Sequence, residues 1–221
     1  MKLQPGAAAP TAFERAVILD RDGTLIDFVR DPELGVVTPA FHPAQLRFLP
    51  SVLLGLERLA KAGYALLIAT NQPGAAKGEL TEEAIVTTNQ ALLDRLAEQG
   101  IPVLGIASCL HHPEGGDGGR ADLIGPCDCR KPQPGLLVAL AEFARVRPAQ
   151  CWMLGDTLTD MRASSAAGMS GALLSLEHRC EICPHRGAGA GASLAAAEPR
   201  LLRPRLLELA TAIIEVDGHH G

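Results

Sequence analysis

The chain has 221 residues, of which 47% are hydrophobic and 3% are aromatic, and its net charge at neutral pH is −5. This length suffices for one α/β domain whose core needs no disulfide support. The acidic balance and the lack of a lysine or arginine block argue against a nucleic-acid partner. No apolar stretch approaches the roughly 20 residues of a transmembrane helix. We therefore expect a monomeric cytoplasmic protein with no nucleic-acid or membrane partner.

After a flexible leader over residues 1–14, apolar runs that predict strands alternate with periodic segments that predict helices. The predicted strands are residues 16–19, 65–69, 103–107, 152–155 and 172–174. The predicted helices are residues 52–60 behind an N-cap at Ser51, a helix from Thr81 to Gly100, residues 134–144, a helix after Asp156, and residues 200–215. Residues 28–50, with four prolines, predict a long and mostly irregular excursion.

Strands separated by helices of this length indicate βαβ units and a mostly parallel sheet. We therefore predict a Rossmann-like, three-layer α/β/α sandwich. The segments after Thr24 and after Thr70 are too short for a large cap domain, so we expect none.

Three of the predicted strands end in polar pairs. Because the carboxyl ends of parallel strands meet at one edge of a sheet, these pairs are expected to converge in one crevice, which Lys131 can join. Two acids beside a Gly-Thr pair favour a hard cation and a phosphate, although Asp-Gly alone is also an ordinary turn. The pairs are Asp20 and Asp22, Thr70 and Asn71, and Asp156 and Asp160.

These residues fall into four motifs: Asp20-x-Asp22-Gly-Thr, the strand-terminal Thr70, Lys131, and Gly155-Asp156-x-x-x-Asp160. In order and spacing they resemble the haloacid dehalogenase superfamily. The residues around these motifs are similar to those of one branch of the superfamily, which contains the heptose bisphosphate and histidinol-phosphate phosphatases. Examples are Thr70-Asn71-Gln72-Pro73-Gly74 and Cys129-Arg130-Lys131-Pro132. The resemblance extends from about Val17 to Leu174.

The resemblance implies a Mg²⁺-dependent phosphatase that works through an aspartyl-phosphate. Asp20 would be the nucleophile, and Asp22 would be the general acid and then the general base. Mg²⁺ would be held by Asp20, the backbone carbonyl of Asp22, and Asp156. The phosphoryl oxygens would be bound by Thr70, Asn71 and Lys131. Arg130 is either a further phosphate ligand or a solvated arginine, and Asp160 either binds the metal through water or caps its helix.

A glycine-rich insert carries a second signal. Cys109, His111, Cys127 and Cys129 form two close pairs that offer three thiolates and one imidazole, the ligand set of a closed tetrahedral Zn²⁺ site. The family resemblance supports zinc at the same positions, and free buried cysteines are the alternative. Four protein ligands leave no open position, so the zinc would be structural.

The predicted organisation is therefore a phosphatase domain over residues 15–176, with a zinc loop at 109–129, a Cys/His and Gly/Ala-rich loop over 177–198, and a C-terminal helix and tail over 199–221. Within the second loop, His178, Cys180, Cys183 and His185 are compatible with another metal site, with an exposed loop, or with a reversible thiol pair. Cys151 lies in strand sequence and is expected to be buried.

Three functions remain open from the sequence. The first is hydrolysis of a small sugar phosphate, with a heptose bisphosphate as the leading substrate. The second is hydrolysis of histidinol phosphate or another small phosphomonoester. The third is phosphate binding without turnover.

Overall fold

The structure is a computed structural model that describes residues 1–7, 13–33, 35–175 and 198–218. It contains a seven-stranded sheet in the order β1-β6-β5-β2-β7-β8-β9, together with a separate hairpin of β3 and β4. The strands are β1 (Lys2–Pro5), β2 (Arg15–Leu19), β3 (Val29–Asp31), β4 (Val36–Thr38), β5 (Tyr64–Asn71), β6 (Val103–Cys109), β7 (Cys151–Gly155), β8 (Ser170–Leu174) and β9 (Leu201–Arg203). The α-helices are α1 (Val52–Lys61), α2 (Gly74–Lys77), α3 (Glu82–Glu98), α4 (Gly135–Ala144), α5 (Leu158–Ala166) and α6 (Leu206–Gly218).

Helices cover both faces of this sheet, which confirms the predicted three-layer sandwich. Successive residues of β2 alternate between two cores: Val17 and Leu19 pack on the side of α1, α3 and α6, whereas Ala16 and Ile18 pack on the side of α4 and α5. Because a strand points successive side chains to opposite faces, β2 must be apolar throughout to be buried on both. Its position between β5 and β7 makes it the centre of the sheet.

The amino-terminal residues differ from the flexible leader that the sequence predicted. Lys2–Pro5 form β1, which pairs with β6 and is the antiparallel member of an otherwise parallel sheet. Short strands rich in polar residues carry no distinctive periodicity, so a four-residue edge strand was not visible in the pattern. The chain also adds β9 before its last helix, which begins at Leu206 rather than near residue 200.

Capping at the helix starts is only partly as predicted. Thr81 accepts a hydrogen bond from the amide of Ala84, as an N-cap does. Ser51 directly precedes α1 but has a left-handed backbone (φ 66°), and its side chain makes no capping hydrogen bond. The start of α1 is instead tied by the bond from the Val52 amide to the Leu49 carbonyl.

The long segment between β2 and α1 adds the β3–β4 hairpin and a short 3₁₀ turn at Pro43–Gln45. A hairpin of two three-residue strands is much smaller than a domain, in agreement with the prediction of no large cap domain. None of the helices in the described parts of the chain is both long and apolar enough to cross a membrane.

A polar clasp at the amino ends of the central strands holds α6 in place. Asp217 accepts a hydrogen bond from the Tyr64 hydroxyl at 2.7 Å and another from Trp152 Nε1 at 3.1 Å. Tyr64 and Trp152 are each 2% exposed, so their polar atoms depend on this partner. Burial and the neighbouring carboxylate raise the pKa of Tyr64 above its usual value.

We predict that Asp217→Ala lowers the free energy of unfolding by about 1–3 kcal/mol, because it leaves two buried donors without their acceptor. Denaturant unfolding followed by circular dichroism measures this. Asp94, which accepts one exposed hydrogen bond from Gln90, is the matched control; Asp94→Ala is expected to change stability by less than about 0.5 kcal/mol. Equal losses for both variants would contradict the clasp.

Candidate active site and metal centre

The carboxyl ends of β2 and β7 and the first turn of α5 place the predicted acidic residues together. Asp20 follows β2 directly, and its amide donates to the Leu154 carbonyl of β7 at 2.9 Å. One carboxylate oxygen each of Asp20, Asp156 and Asp160 lies within 4.8 Å of the others. The adjacent parallel strands β2 and β7 therefore bring Asp20 and Asp156 to one point of the sheet edge, as the sequence predicted, and Asp160 joins them from the first turn of α5.

Lys131 is the cation of this cluster. Its Nζ lies 2.6 Å from Asp20 Oδ1 and 2.7 Å from Asp160 Oδ1, and it donates to the Ala69 carbonyl at 2.8 Å. The Lys131 side chain is 3% exposed. Burial acts to lower the pKa of Lys131, but the carboxylates of Asp160 and Asp20 outweigh burial and raise it. The ammonium group is therefore fully charged at neutral pH.

One lysine does not neutralise three clustered carboxylates, of which two are buried and that of Asp156 is half-buried. Burial, reinforced by the charges of Asp160 and Asp22, raises the pKa of Asp20 to about 7 even though Lys131 opposes the shift. Burial and the charge of Asp20 also raise the pKa of Asp156. Such a cluster of hard oxygen donors with excess negative charge suits a divalent cation. Gly23 leaves room for the Asp156 side chain in this cluster, because a Cβ at position 23 would lie 2.3 Å from Asp156 Oδ2.

Asp160 makes the helix-capping contact that the sequence offered as one of two alternatives, and it also forms an ion pair that the sequence did not predict. Its Oδ2 accepts hydrogen bonds from the amide and the hydroxyl of Thr157, which caps α5. Its Oδ1 pairs with Lys131. The helix start is therefore connected directly to the acidic cluster.

The Asp22 carboxylate is held by a different set of donors. Arg21 binds both of its oxygens, at 2.9 and 3.1 Å, and Gln72 Nε2 donates to Oδ2 at 2.8 Å. The sequence motifs predicted a role for Asp22 but not for Arg21 or Gln72. The one sequence feature that could have indicated these two residues is their position, since each is a polar residue directly adjacent to a motif residue at the end of a buried strand.

Thr70 and Asn71 lie at the end of β5, where they were predicted, but they make different contacts. Thr70 Oγ1 accepts a hydrogen bond from Gln72 at 2.9 Å, so its own proton can be donated to another group. The Asn71 side chain bonds the backbone of Lys131 twice, donating to its carbonyl at 3.0 Å and accepting from its amide at 3.1 Å. Asn71 therefore fixes the position from which Lys131 extends.

Arg130 is half-buried, and its NH1 donates to the His111 carbonyl at 3.2 Å. This bond ties the residue before Lys131 to the cysteine and histidine cluster.

Cys109, His111, Cys127 and Cys129 come together as the sequence predicted. The Cys109 Sγ lies 3.3 Å from Cys129 Sγ and 3.8 Å from Cys127 Sγ, and His111 Nδ1 lies 3.4 Å from Cys129 Sγ. Thiolate sulfurs at about 2.3 Å from a tetrahedral zinc stand about 3.8 Å apart, and an imidazole nitrogen binds slightly closer, so these separations are compatible with such a site. The hydrogen bond between Cys109 and Cys129 lowers the pKa of Cys129 and raises that of Cys109.

Of the other cysteines and histidines that the sequence singled out, Cys151 lies within the described residues and those of the second loop do not. Cys151 is buried at the start of β7, in agreement with its predicted core position. His178, Cys180, Cys183 and His185, with the rest of the Gly/Ala-rich loop up to residue 197, lie outside the described residues, so their alternatives stay open.

Comparison with known proteins gives consistent results. The HAD-hydrolase-like family profile matches residues 128–177. A D-glycero-β-D-manno-heptose-1,7-bisphosphate 7-phosphatase of Salmonella typhi is 37% identical over 155 residues, which are 70% of this chain and 76% of that protein. The enzyme of the same name from Escherichia coli K12 is 34% identical over 154 residues, 70% of this chain and 75% of that protein.

Two solved structures share the fold over nearly the whole chain. A HAD-like phosphatase from Mesorhizobium loti superposes with a TM-score of 0.71 at 27% identity, covering 97% of this chain and 93% of that one. The D,D-heptose 1,7-bisphosphate phosphatase of B. bronchiseptica, solved with magnesium and phosphate, gives a TM-score of 0.66 at 27% identity, covering 91% of this chain and 99% of that one.

We predict that the acidic cluster destabilises the metal-free protein as the pH rises. The folded-state pKa of Asp20, about 7, lies above its ordinary value of 3.8. The folded protein therefore holds this proton more tightly than the unfolded chain, and the associated stability, complete below pH 3.8, is lost as the pH rises towards 7. In EDTA, the melting temperature of the wild type minus that of Asp20→Asn should fall over this range. A constant difference would contradict the shift, and added Mg²⁺ should stabilise the wild type most at neutral pH.

Proposed function

Since the chain belongs to the haloacid dehalogenase-like phosphatases, we propose that it hydrolyses a sugar phosphate, with D-glycero-β-D-manno-heptose 1,7-bisphosphate, cleaved at the 7-phosphate, as the first candidate. The observation that carries the proposal is the cluster of Asp20, Lys131, Asp156 and Asp160 beside the carboxyl ends of the central strands. The named function of the relatives supports the choice of substrate.

In the proposed reaction Asp20 is the nucleophile. Its carboxylate attacks phosphorus, the bond to the leaving oxygen breaks, and an aspartyl-phosphate forms; water then hydrolyses this ester and releases inorganic phosphate. Asp22, two residues along, donates a proton to the leaving oxygen and then takes a proton from the attacking water. Lys131 and the Thr70 hydroxyl donate to the phosphoryl oxygens, and Asn71 holds the Lys131 backbone in place.

The residues present fit a magnesium ion. Asp20, Asp156 and the backbone carbonyl of Asp22 would hold it, with Asp160 close by, and the bound ion would offset the repulsion between these carboxylates and a phosphate. The magnesium in the bacterial heptose bisphosphate phosphatase structure supports this assignment.

The cysteine and histidine cluster fits a structural zinc. Cys109, His111, Cys127 and Cys129 would hold it with no open position, and it would order a glycine-rich loop that has little apolar surface of its own. Cys129 is two residues before Lys131, and Arg130 is bonded to the His111 carbonyl. The zinc site therefore braces the segment that presents both cations to the substrate, where Arg130 is proposed to bind a phosphate group.

We expect Asp20→Asn to lower phosphate release by more than about 1,000-fold while the protein stays folded, because the amide is not a nucleophile. Release is measured from heptose 1,7-bisphosphate, fructose 1,6-bisphosphate and histidinol phosphate, each with Mg²⁺ and with EDTA. The exposed Asp94→Asn is the matched control and should keep full activity. Turnover by Asp20→Asn close to wild type would refute the mechanism.

The same panel separates the candidate functions. Metal-dependent release that is fastest from the heptose substrate supports the proposal, and fastest release from histidinol phosphate assigns the second function instead. Phosphate binding by the folded, magnesium-loaded wild type without release from any substrate would indicate a binding protein.

We predict that Cys127→Ser binds one zinc fewer per chain than the wild type, as measured by elemental analysis after dialysis. Cys151→Ala is the control, because Cys151 is buried in β7 away from the cluster, and its zinc content should equal that of the wild type. The difference between variants is the quantity to use, since it is independent of any metal bound elsewhere. Equal zinc in Cys127→Ser and wild type would contradict the site.

A further inference from the structure

Arg21 is an almost fully buried arginine, 1% exposed, that pairs with the residue next to it in the chain. Its Nε donates to Asp22 Oδ2 at 2.9 Å and its NH2 donates to Asp22 Oδ1 at 3.1 Å. This two-point contact fixes both the position and the plane of the carboxylate. A buried charge pair of this kind is not a general means of gaining stability, since desolvation offsets much of the attraction.

The remaining contacts of Arg21 are specific as well. NH1 donates to Asn89 Oδ1 at 2.6 Å, and NH2 donates to the Ala40 carbonyl at 2.8 Å. Asn89 lies on the buried stripe of α3, and its amide donates to Ser108 Oγ on β6 at 2.9 Å and to Gln4 Oε1 on β1 at 3.3 Å. A buried polar chain therefore connects Asp22 to α3 and to two strands of the sheet.

Ala40 contacts the pair through both sides of its backbone. Its carbonyl accepts from Arg21, and its amide donates to Asp22 Oδ1 at 3.3 Å. With Gln72 on Oδ2, the Asp22 carboxylate has four donors, two on each oxygen. The segment that follows the β3–β4 hairpin is thus bonded to the Arg21–Asp22 pair itself.

We propose that Arg21 is a positioning residue for the reaction: it orients the Asp22 carboxylate for proton transfer, and Asn89 in turn orients Arg21. This inference rests on the proposed function, in which Asp22 moves the proton in both steps. General acid and base catalysis depends on hydrogen-bond geometry, so a carboxylate free to rotate loses most of its effect. A lysine at position 21 would keep the charge but not the two-point contact.

The test compares two leaving groups. An alkyl phosphate needs a proton on the departing oxygen, whereas p-nitrophenolate leaves without one. In single-turnover experiments, Arg21→Met should form the phosphoenzyme about 100-fold more slowly than wild type from the best sugar phosphate and at a nearly unchanged rate from p-nitrophenyl phosphate. Because the second step still needs a base, the aryl substrate should show a burst of p-nitrophenol followed by slow turnover.

Arg95 supplies the matched control. It also donates to two backbone carbonyls of the same segment, at Pro43 and Leu46, without contacting Asp22. Arg95→Met should therefore change the first-step rates from both substrates by the same factor and give no burst. Arg21→Lys and Asn89→Leu keep more of the network and should show the difference between the two leaving groups to a smaller degree. They replace Arg21→Met in the test if that variant does not fold.

A proportional loss on both substrates without a burst, in all three network variants, would overturn the role of Arg21 and leave the phosphatase assignment intact. Failure of the wild type to hydrolyse either substrate would overturn the proposed function, and with it this inference. A burst confined to the network variants would support both.

Discussion

The ion pairs of Lys131 with Asp20 and Asp160 determine how the rest of the site is arranged. A charged ammonium group with 3% side-chain exposure is tolerated only where opposite charges and hydrogen-bond acceptors surround it. The sheet provides two of these partners at strand ends, the Asp20 carboxylate and the Ala69 carbonyl. The Asp160 carboxylate comes from α5, the helix that follows β7. Removing one of the two carboxylates would leave the buried ammonium group with only part of its compensation.

This requirement explains why the segment around Lys131 is braced from two directions. Asn71 holds the Lys131 backbone by two hydrogen bonds, and the Cys109–Cys129 cluster lies immediately before it in the chain. Gly135, the first residue of α4, allows close backbone packing in the same segment, since a Cβ at this position would lie 2.6 Å from the Asp128 carbonyl oxygen. The cysteine and histidine cluster therefore helps to position the chain segment that carries Lys131, although it is separate from the acidic cluster.

The sequence predicted the parts of the site that follow from strand topology. Asp20, Thr70 and Asp156 each close an apolar run, and parallel strands bring such ends together whatever the side-chain details are. Spacing also indicated the cluster of Cys109, His111, Cys127 and Cys129. The edge strand Lys2–Pro5 was missed because four residues at a sheet edge have too little burial to show a period.

Side-chain networks were harder to predict, because they depend on rotamers and on contacts between distant residues. The pairing of Arg21 with its neighbour Asp22, and the reach of Gln72 to the same carboxylate, are of this kind. Asn89 did leave a signal: it occupies the same helical stripe as Ile85 and Leu92, where an apolar residue is the usual choice. A polar residue at such a position indicates a buried partner, but not which one.

The double use of Asp160 has a consequence for any attempt to stabilise this protein. One carboxylate oxygen accepts from the Thr157 amide at the start of α5, and the other pairs with Lys131. Local folding and charge balance at the site are therefore coupled through a single side chain, and selection for one property acts on the other. Laboratory evolution for heat resistance should accordingly find its gains away from this helix start, for example where α6 packs against the opposite end of the sheet.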